Sequence, residues 1–183
     1  RIFSLTARPG ALRLYGREAI GSWFEQALVA RRQTHFDYTA STVLEFAPGN
    51  EREMAGLTAY YGRHAFVYLH VSADTDGTRQ LLLKGAMTDN RGGHLTYLCD
   101  PVPLPQTGPM ELAVEMRNAR LQFFYGRERI PVGPELDGSI LSDEASVSIG
   151  GGGFTGTFIG MAAQDLNGRA LAADFLEFRY RPL

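Results

Sequence analysis

Between Phe36 and Phe46 the chain alternates with a period of two. Phe36, Tyr38, Ala40, Thr42, Leu44 and Phe46 fall in one phase; Asp37, Thr39, Ser41, Val43 and Glu45 fall in the other. Successive side chains of a strand point to opposite faces, so this pattern predicts a strand with one dry and one wet face. Met110–Arg117 repeats it, with Met110, Leu112, Val114 and Met116 alternating with Glu111, Ala113, Glu115 and Arg117. A helix would scatter those four apolar residues around its circumference. Further candidate strands are Leu57–Tyr61, Ala65–Ser72, Gln80–Lys84, Leu95–Cys99, Leu121–Tyr125, Thr157–Ala163 and Ala172–Tyr180.

The punctuation agrees with a chain of short strands. Asp76-Gly77, Asp137-Gly138 and Asn167-Gly168 are two-residue turn signals, because Gly and Asn tolerate the positive φ that tight hairpins require. Arg91–Gly93 and Pro101–Pro109 read as loops. Gly21–Gln33 dissents: its Glu, Gln, Ala and Leu suit either a short helix or a turn feeding a strand around Ala27–Arg32. With no long amphipathic helical pattern, the fold expected is all-β, a two-sheet antiparallel β-sandwich.

Composition bounds the function. The 183 residues suit one domain over 1–183, and 44% hydrophobic residues supply a core. A formal net charge of −2 gives no electrostatic footprint for nucleic acid or an anionic membrane, so neither is expected as a partner. No apolar run approaches the roughly 18–20 residues of a membrane-spanning helix. Cys99 is the only cysteine, which excludes a disulfide framework and suits a reducing, cytoplasmic setting. The chain opens on Arg1 with no leader-like segment after it, so the expectation is a C-terminal piece of a longer protein or a processed chain.

Chemistry is sparse within the chain. His35, His64, His70 and His94 are scattered, and no G-x-S-x-G elbow occurs. His70 shares a phase with Phe66 and Tyr68 and reads as a sheet histidine. Cys99 reads as a plain buried thiol. No Cys or His spacing supports zinc, and no cofactor is expected; calcium stays open, because sandwich domains hold it with carboxylates and carbonyls. Asp174 shares a phase with Leu176 and Phe178, and a buried carboxylate there calls for an Arg or backbone N–H partner. Ser148–Phe154 lacks the Lys-Ser/Thr of a phosphate loop. Glycoside hydrolysis needs two carboxyl groups about 5–9.5 Å apart. Glu111 and Glu115 share a face, but it is the one opposite the apolar phase, so no catalytic pair is expected here.

One segment remains unexplained by sheet patterning. Four consecutive glycines, Gly150 to Gly153, precede Phe154, Thr155 and Gly156. Glycine backbone is costly to order, so the run reads in two ways. Either it is an irregular connection with Phe154 tucked into the core, or it is a loop that presents Phe154 to another surface.

Several strings occurring in order, LRLYGRE (Leu12–Glu18), FEQALVARRQ (Phe24–Gln33), AGLTAYYG (Ala55–Gly62), FVYLHVSAD (Phe66–Asp74), GFTGTFIGM (Gly153–Met161) and ADFLEFRY (Ala173–Tyr180), resemble the C-terminal domain of family 43 glycoside hydrolases of the β-xylosidase type. The resemblance implies a concanavalin-A-like jelly roll packed on an N-terminal β-propeller domain of the same chain, with residues 1–8 as the linker. It implies that the propeller carries the three catalytic carboxylates, leaving none in this segment. The implied activity is single-displacement, inverting, exo-acting release of xylose from xylo-oligosaccharides, often with α-L-arabinofuranosidase activity. A sandwich loop with an aromatic residue then helps to close the pocket. That role falls on Phe154 and Thr155 as substrate-binding residues, with Gly152, Gly153 and Gly156 as hinge. Two departures stand out: the glycine run is longer than the family pattern, and Leu176 stands where a second Asp often occurs.

Two other functions remain in view. A stand-alone carbohydrate-binding module would display aromatic platforms, for which Tyr60, Tyr61, Tyr68, Phe123 and Tyr125 are the candidates. A structural domain would pair subunits into a homo-oligomer through exposed edges or apolar patches.

Overall fold

In a computed structural model of the chain, residues 1–86, 95–147 and 154–183 are described. The described strands are, in chain order, β1 (Phe3–Ser4), β2 (Leu12–Tyr15), β3 (Ala27–Arg32), β4 (Tyr38–Glu45), β5 (Glu53–Gly62), β6 (Ala65–Ala73) and β7 (Arg79–Ala86). They continue with β8 (Thr96–Tyr97), β9 (Val102–Pro103), β10 (Met110–Arg117), β11 (Arg120–Tyr125), β12 (Ile130–Asp137), β13 (Phe158–Asp165) and β14 (Ala172–Pro182). Between β12 and β13 lie a 3₁₀ turn (Gly138–Leu141) and one short helix, α1 (Asp143–Val147).

The strands form two antiparallel sheets, the sandwich that the alternation predicts. One sheet runs β1-β2-β14-β4-β10-β11-β12; the other runs β3-β13-β5-β6-β7-β8, with β9 also on β7. In β4 the phase Tyr38, Ala40, Thr42, Leu44 is buried and the intervening phase is half-buried. Tyr38, Ala40, Leu44, Leu112, Val114, Phe123 and Phe175 meet Leu57, Val67, Leu69, Leu83 and Ile159 of the facing sheet in one continuous core. Each buried Val, Leu, Ile or Phe side chain there contributes about 1.5–3 kcal/mol.

The second sheet is covered on its other face too, which is why β6 is buried along its whole length. Residues 17–26 cross that face. Arg17 bridges Gln164, Ile20 N–H donates to Gln164 Oε1 at 3.2 Å, and Arg63 Nε donates to Gly21 O at 3.2 Å. Ile20, Met54, Phe66, Tyr68, Ala86 and Ala162 form a second apolar cluster beneath this strap.

Several expectations are corrected. β4 begins at Tyr38, so Phe36 lies outside the strand and is 93% exposed instead of buried in its phase. Leu95–Cys99 contributes only the two paired residues of β8, and Pro101–Pro109 is not all loop, because β9 pairs with β7 there. The strand β12 escaped notice because Pro131 and Pro134 lie in it; it is an edge strand, where proline is tolerated. Asp137-Gly138 is no hairpin turn, since Asp137 caps the 3₁₀ turn by accepting from Ser139 N–H. Asn167-Gly168 turns the chain from one sheet into the other. Gly21–Gln33 resolves as an irregular strap followed by β3, not as a helix. Residues 1–8 run along the sandwich: Phe3–Ser4 pairs with Arg13–Leu14, and Arg8 reaches Asp174 and Glu45.

Asp174 also sits differently from its expected phase. Ala173 and Phe175 face the core, so Asp174 points away from it. A bulge at Leu176 then reverses the phase, returning Phe178 and Tyr180 to the core side. Thr42 Oγ1 donates to Glu177 O beside the bulge at 2.6 Å.

Candidate functional site

Strand register gathers one end of the sandwich. Arg32 of β3 lies opposite Phe158, Phe158 opposite Tyr60, Tyr60 opposite Phe66 and Phe66 opposite Ala86. In the other sheet, Tyr38, Met116 and Leu121 end at this same rim, above the Gly138–Leu141 turn. Phe154–Thr157 leads into β13 here.

Phe154 is 80% exposed, and its backbone is left-handed, with φ 48°. Neither feature suits a core residue: the ring contributes no burial, and a non-glycine residue at positive φ is strained by about 1–2 kcal/mol. The reading that tucks Phe154 into the core is thereby excluded. Thr155 is exposed, and its carbonyl accepts from Arg32 Nη1. Gly156 has φ 68°, which only glycine adopts freely, and its N–H donates to Asp143 Oδ1 at 3.4 Å. Gly152 and Gly153, expected as hinge, lie outside the described residues, as does His94.

The surroundings of Phe154 are apolar and acidic together. Phe36 stands fully out; Trp23, 74% exposed, lies elsewhere, on the guanidinium of Arg63 at the β5–β6 turn, at 3.7 Å. Phe36 borders two adjoining cavities of ≈ 360 and ≈ 250 Å³ that share Gln33, Leu141, Ser142 and Thr157; Asp143, Glu144 and Gly156 line the larger. Exposed aromatic rings can pack on sugar C–H groups and an exposed carboxylate such as Glu144 can bond to hydroxyls, whereas the Asp143 carboxylate is engaged by Tyr61 and Gly156. Sequence reasoning missed Arg32, Phe36 and Asp143 at this site, and read Tyr61 as a platform aromatic and not as the partner of Asp143. Their convergence comes from pairing between distant segments, and no local spacing announces it.

Elsewhere the titratable groups are structural. Asp174 is gripped by Arg13 through Nε–Oδ1 at 2.7 Å and Nη2–Oδ2 at 2.8 Å, and by Arg8 Nη1 at 2.7 Å. The hydrogen bonds of Arg13 hold its carboxyl below the usual range. Glu115 pairs with Arg117 and Arg129 at 3.2 and 3.1 Å on the outer face, as a solvated ion pair does. Among the described residues, no group of three or more His, Cys, Asp and Glu side chains is arranged to hold a metal. Cys99 is half-buried against the core.

His70 is fully buried, Nδ1 donating to Tyr68 O at 3.2 Å while its ring stacks on Tyr68 at 4.8 Å; Nε2 has no partner among the described residues. Burial, with Lys84 nearby, pushes its pKa well below the ordinary value. Of the five aromatic residues that a binding platform would need, Tyr61, Tyr68 and Phe123 are buried and Tyr60 and Tyr125 half-buried.

Comparison with known proteins places this geometry in a family. The family model for the β-xylosidase C-terminal concanavalin A-like domain matches residues 1–181. The chain is 50% identical, over 190 aligned positions, to xylosidase/arabinosidase 43B of Humicola insolens, covering 100% of this chain and 35% of that protein. It is 35% identical to a putative β-xylosidase of Escherichia coli, over 98% of this chain and 34% of that one. The crystal structure of a xylan β-1,4-xylosidase from Bacillus halodurans superposes with a TM-score of 0.90 at 37% identity, over 98% of this chain and 34% of that structure. The chain thus spans about a third of the length of the relatives it matches. On this evidence the chain belongs to the β-xylosidase C-terminal concanavalin A-like domain family of the family 43 glycoside hydrolases.

Proposed function

We propose that this sandwich completes the active site of an inverting, exo-acting β-xylosidase by roofing a sugar pocket on an N-terminal β-propeller of the same chain. The observation that carries the reading is Phe154, a bare phenyl ring in a left-handed backbone, two residues before Gly156, which lines one cavity together with the exposed Phe36. An exposed ring on strained backbone makes physical sense when another surface receives it. The relatives support the sugar class, being a xylosidase/arabinosidase and β-xylosidases.

In this reading the reacting carboxylates belong to the propeller, and this segment alone hydrolyses nothing. Its own residues act on access. Phe154 packs on the face of a bound xylose and excludes bulk water; Thr155 borders the same sugar. Closing the site strengthens the electrostatic interactions inside it, and a wall one or two rings from the reacting bond favours short xylo-oligosaccharides. An α-L-arabinofuranoside presents a similar small ring, which accommodates a companion arabinofuranosidase activity.

The test is Phe154→Ala in the full-length enzyme. Turnover of xylobiose should fall at unchanged thermal stability, since the ring buries nothing within its own domain. Unchanged kinetics would overturn the proposal. Titration of the isolated domain with xylo-oligosaccharides should show no millimolar binding; such binding would favour a binding module instead.

A further inference from the structure

The neck of the loop that carries Phe154 is closed by side chains. Thr157 Oγ1 donates to Leu141 O at 2.6 Å and Gly156 N–H donates to Asp143 Oδ1 at 3.4 Å, so the residues entering and leaving the loop bond to each other. The same Asp143 oxygen accepts the hydroxyl of Tyr61 at 2.5 Å. Tyr61 is buried in the main core on β5, so this bond anchors the neck to the sandwich. On the other flank the Arg32 guanidinium, 4.9 Å over the Phe158 ring, donates to Thr155 O, and Gln33 N–H donates to Thr157 O at 2.8 Å.

Residues 154–157 are held from two sides, by Asp143 and by Arg32. Of the two, Asp143 joins three separate pieces of chain: β5, the start of α1 to which it belongs, and the return into β13. A carboxylate suits the place. It accepts from a hydroxyl and a backbone N–H at once, and bonds to an ionised acceptor are roughly twice as strong as neutral ones.

We propose that Asp143 is the positioning residue for Phe154: through Tyr61 and Gly156 it fixes the height at which the ring stands over the sugar pocket, and so sets the preference for short xylo-oligosaccharides. This rests on the reading of Phe154 as the pocket's roof. Asp143 touches no substrate and acts only through the ring.

The test is a double-mutant cycle in the full-length enzyme, with xylobiose kinetics and thermal unfolding measured for every variant. Asp143→Ala should lower kcat/KM about tenfold, the size of one lost positioning hydrogen bond to a charged group. Asp143→Asn, which keeps an acceptor oxygen, should restore most of it. In a Phe154→Ala background, Asp143→Ala should cause no further loss, because no ring remains to be placed. Tyr61→Phe removes the same anchor with less disturbance of the fold and should behave alike in both backgrounds, guarding against an Asp143→Ala variant that fails to fold. If Phe154→Ala is impaired while Asp143→Ala and Tyr61→Phe are silent or simply additive with it, the positioning role is overturned and the roof reading stands. If Phe154→Ala is itself silent, both fall.

Discussion

Arg13 and Asp174 meet through two parallel hydrogen bonds, 2.7 and 2.8 Å, that tie β2 to β14 across a half-buried face. Arg8 adds a third at 2.7 Å, so residues 1–15 are fastened to the C-terminal strand by one carboxylate. Asp174→Asn should destabilise the domain by roughly 1–3 kcal/mol, the range for a charge-assisted bond left half-made. Because its folded pKa is depressed, the contribution of Asp174 is present above its ordinary value of 3.8 and is lost as pH falls through the lowered one. Urea unfolding of wild type and variant at pH 7 and near pH 3 measures both effects, and the gap between them should narrow in acid.

Lys84 carries a charge that costs stability where that of Asp174 supplies it. Its side chain is buried beside Tyr68, donating to Met54 Sδ at 3.0 Å, and among the described residues it has no carboxylate partner. Burial pushes its pKa down from 10.5 to about 8. Between those values the unfolded chain binds the extra proton, so this group makes stability rise with pH across that window. Lys84→Met should raise the unfolding free energy at pH 7 by roughly 2 kcal/mol and flatten the alkaline slope. Thermal melts from pH 7 to 10.5 check both.

His70 acts on the acid side. Buried and neutral, it opposes protonation, so the unfolded chain takes up the proton first and stability falls as pH drops below 6.5. His70→Gln should remove that part of the acid slope; melts at pH 5 and 7 would show a smaller difference than in wild type.

Gly160 lies opposite Ala30 where β13 packs tightly on β3. A methyl group there would stand 2.3 Å from Val29 O and 2.4 Å from Ala30 Cβ, and neither neighbour is a flexible side-chain end. Gly160→Ala should therefore cost several kcal/mol, about 2 or more, through forced separation of the two strands. Loss of soluble expression or a sharply lowered Tm is the expected outcome.

Much of the fold was legible because burial enforces a period of two. Tyr38 to Leu44 and Leu112 to Met116 can sit in only one phase, and they do. What escaped was set by contacts that no local pattern encodes. Phe36 continues the alternation of β4, but the strand's pairing partners end at Tyr38, so the phase runs on past the sheet. The Leu176 bulge reverses the facing of β14 without any glycine or proline to announce it. The rim around Phe154 is legible at Phe154, a large aromatic residue beside a glycine run. It is silent at Arg32 and Asp143, ordinary residues made significant only by contacts between distant segments.

The most direct test of the central claim is the structure of the full-length enzyme with xylose or xylobiose bound. The account predicts the Phe154 ring in van der Waals contact, within about 4.5 Å, with a sugar held by the propeller's carboxylates. A ring folded back onto its own sandwich, with the sugar open to solvent above, would contradict it.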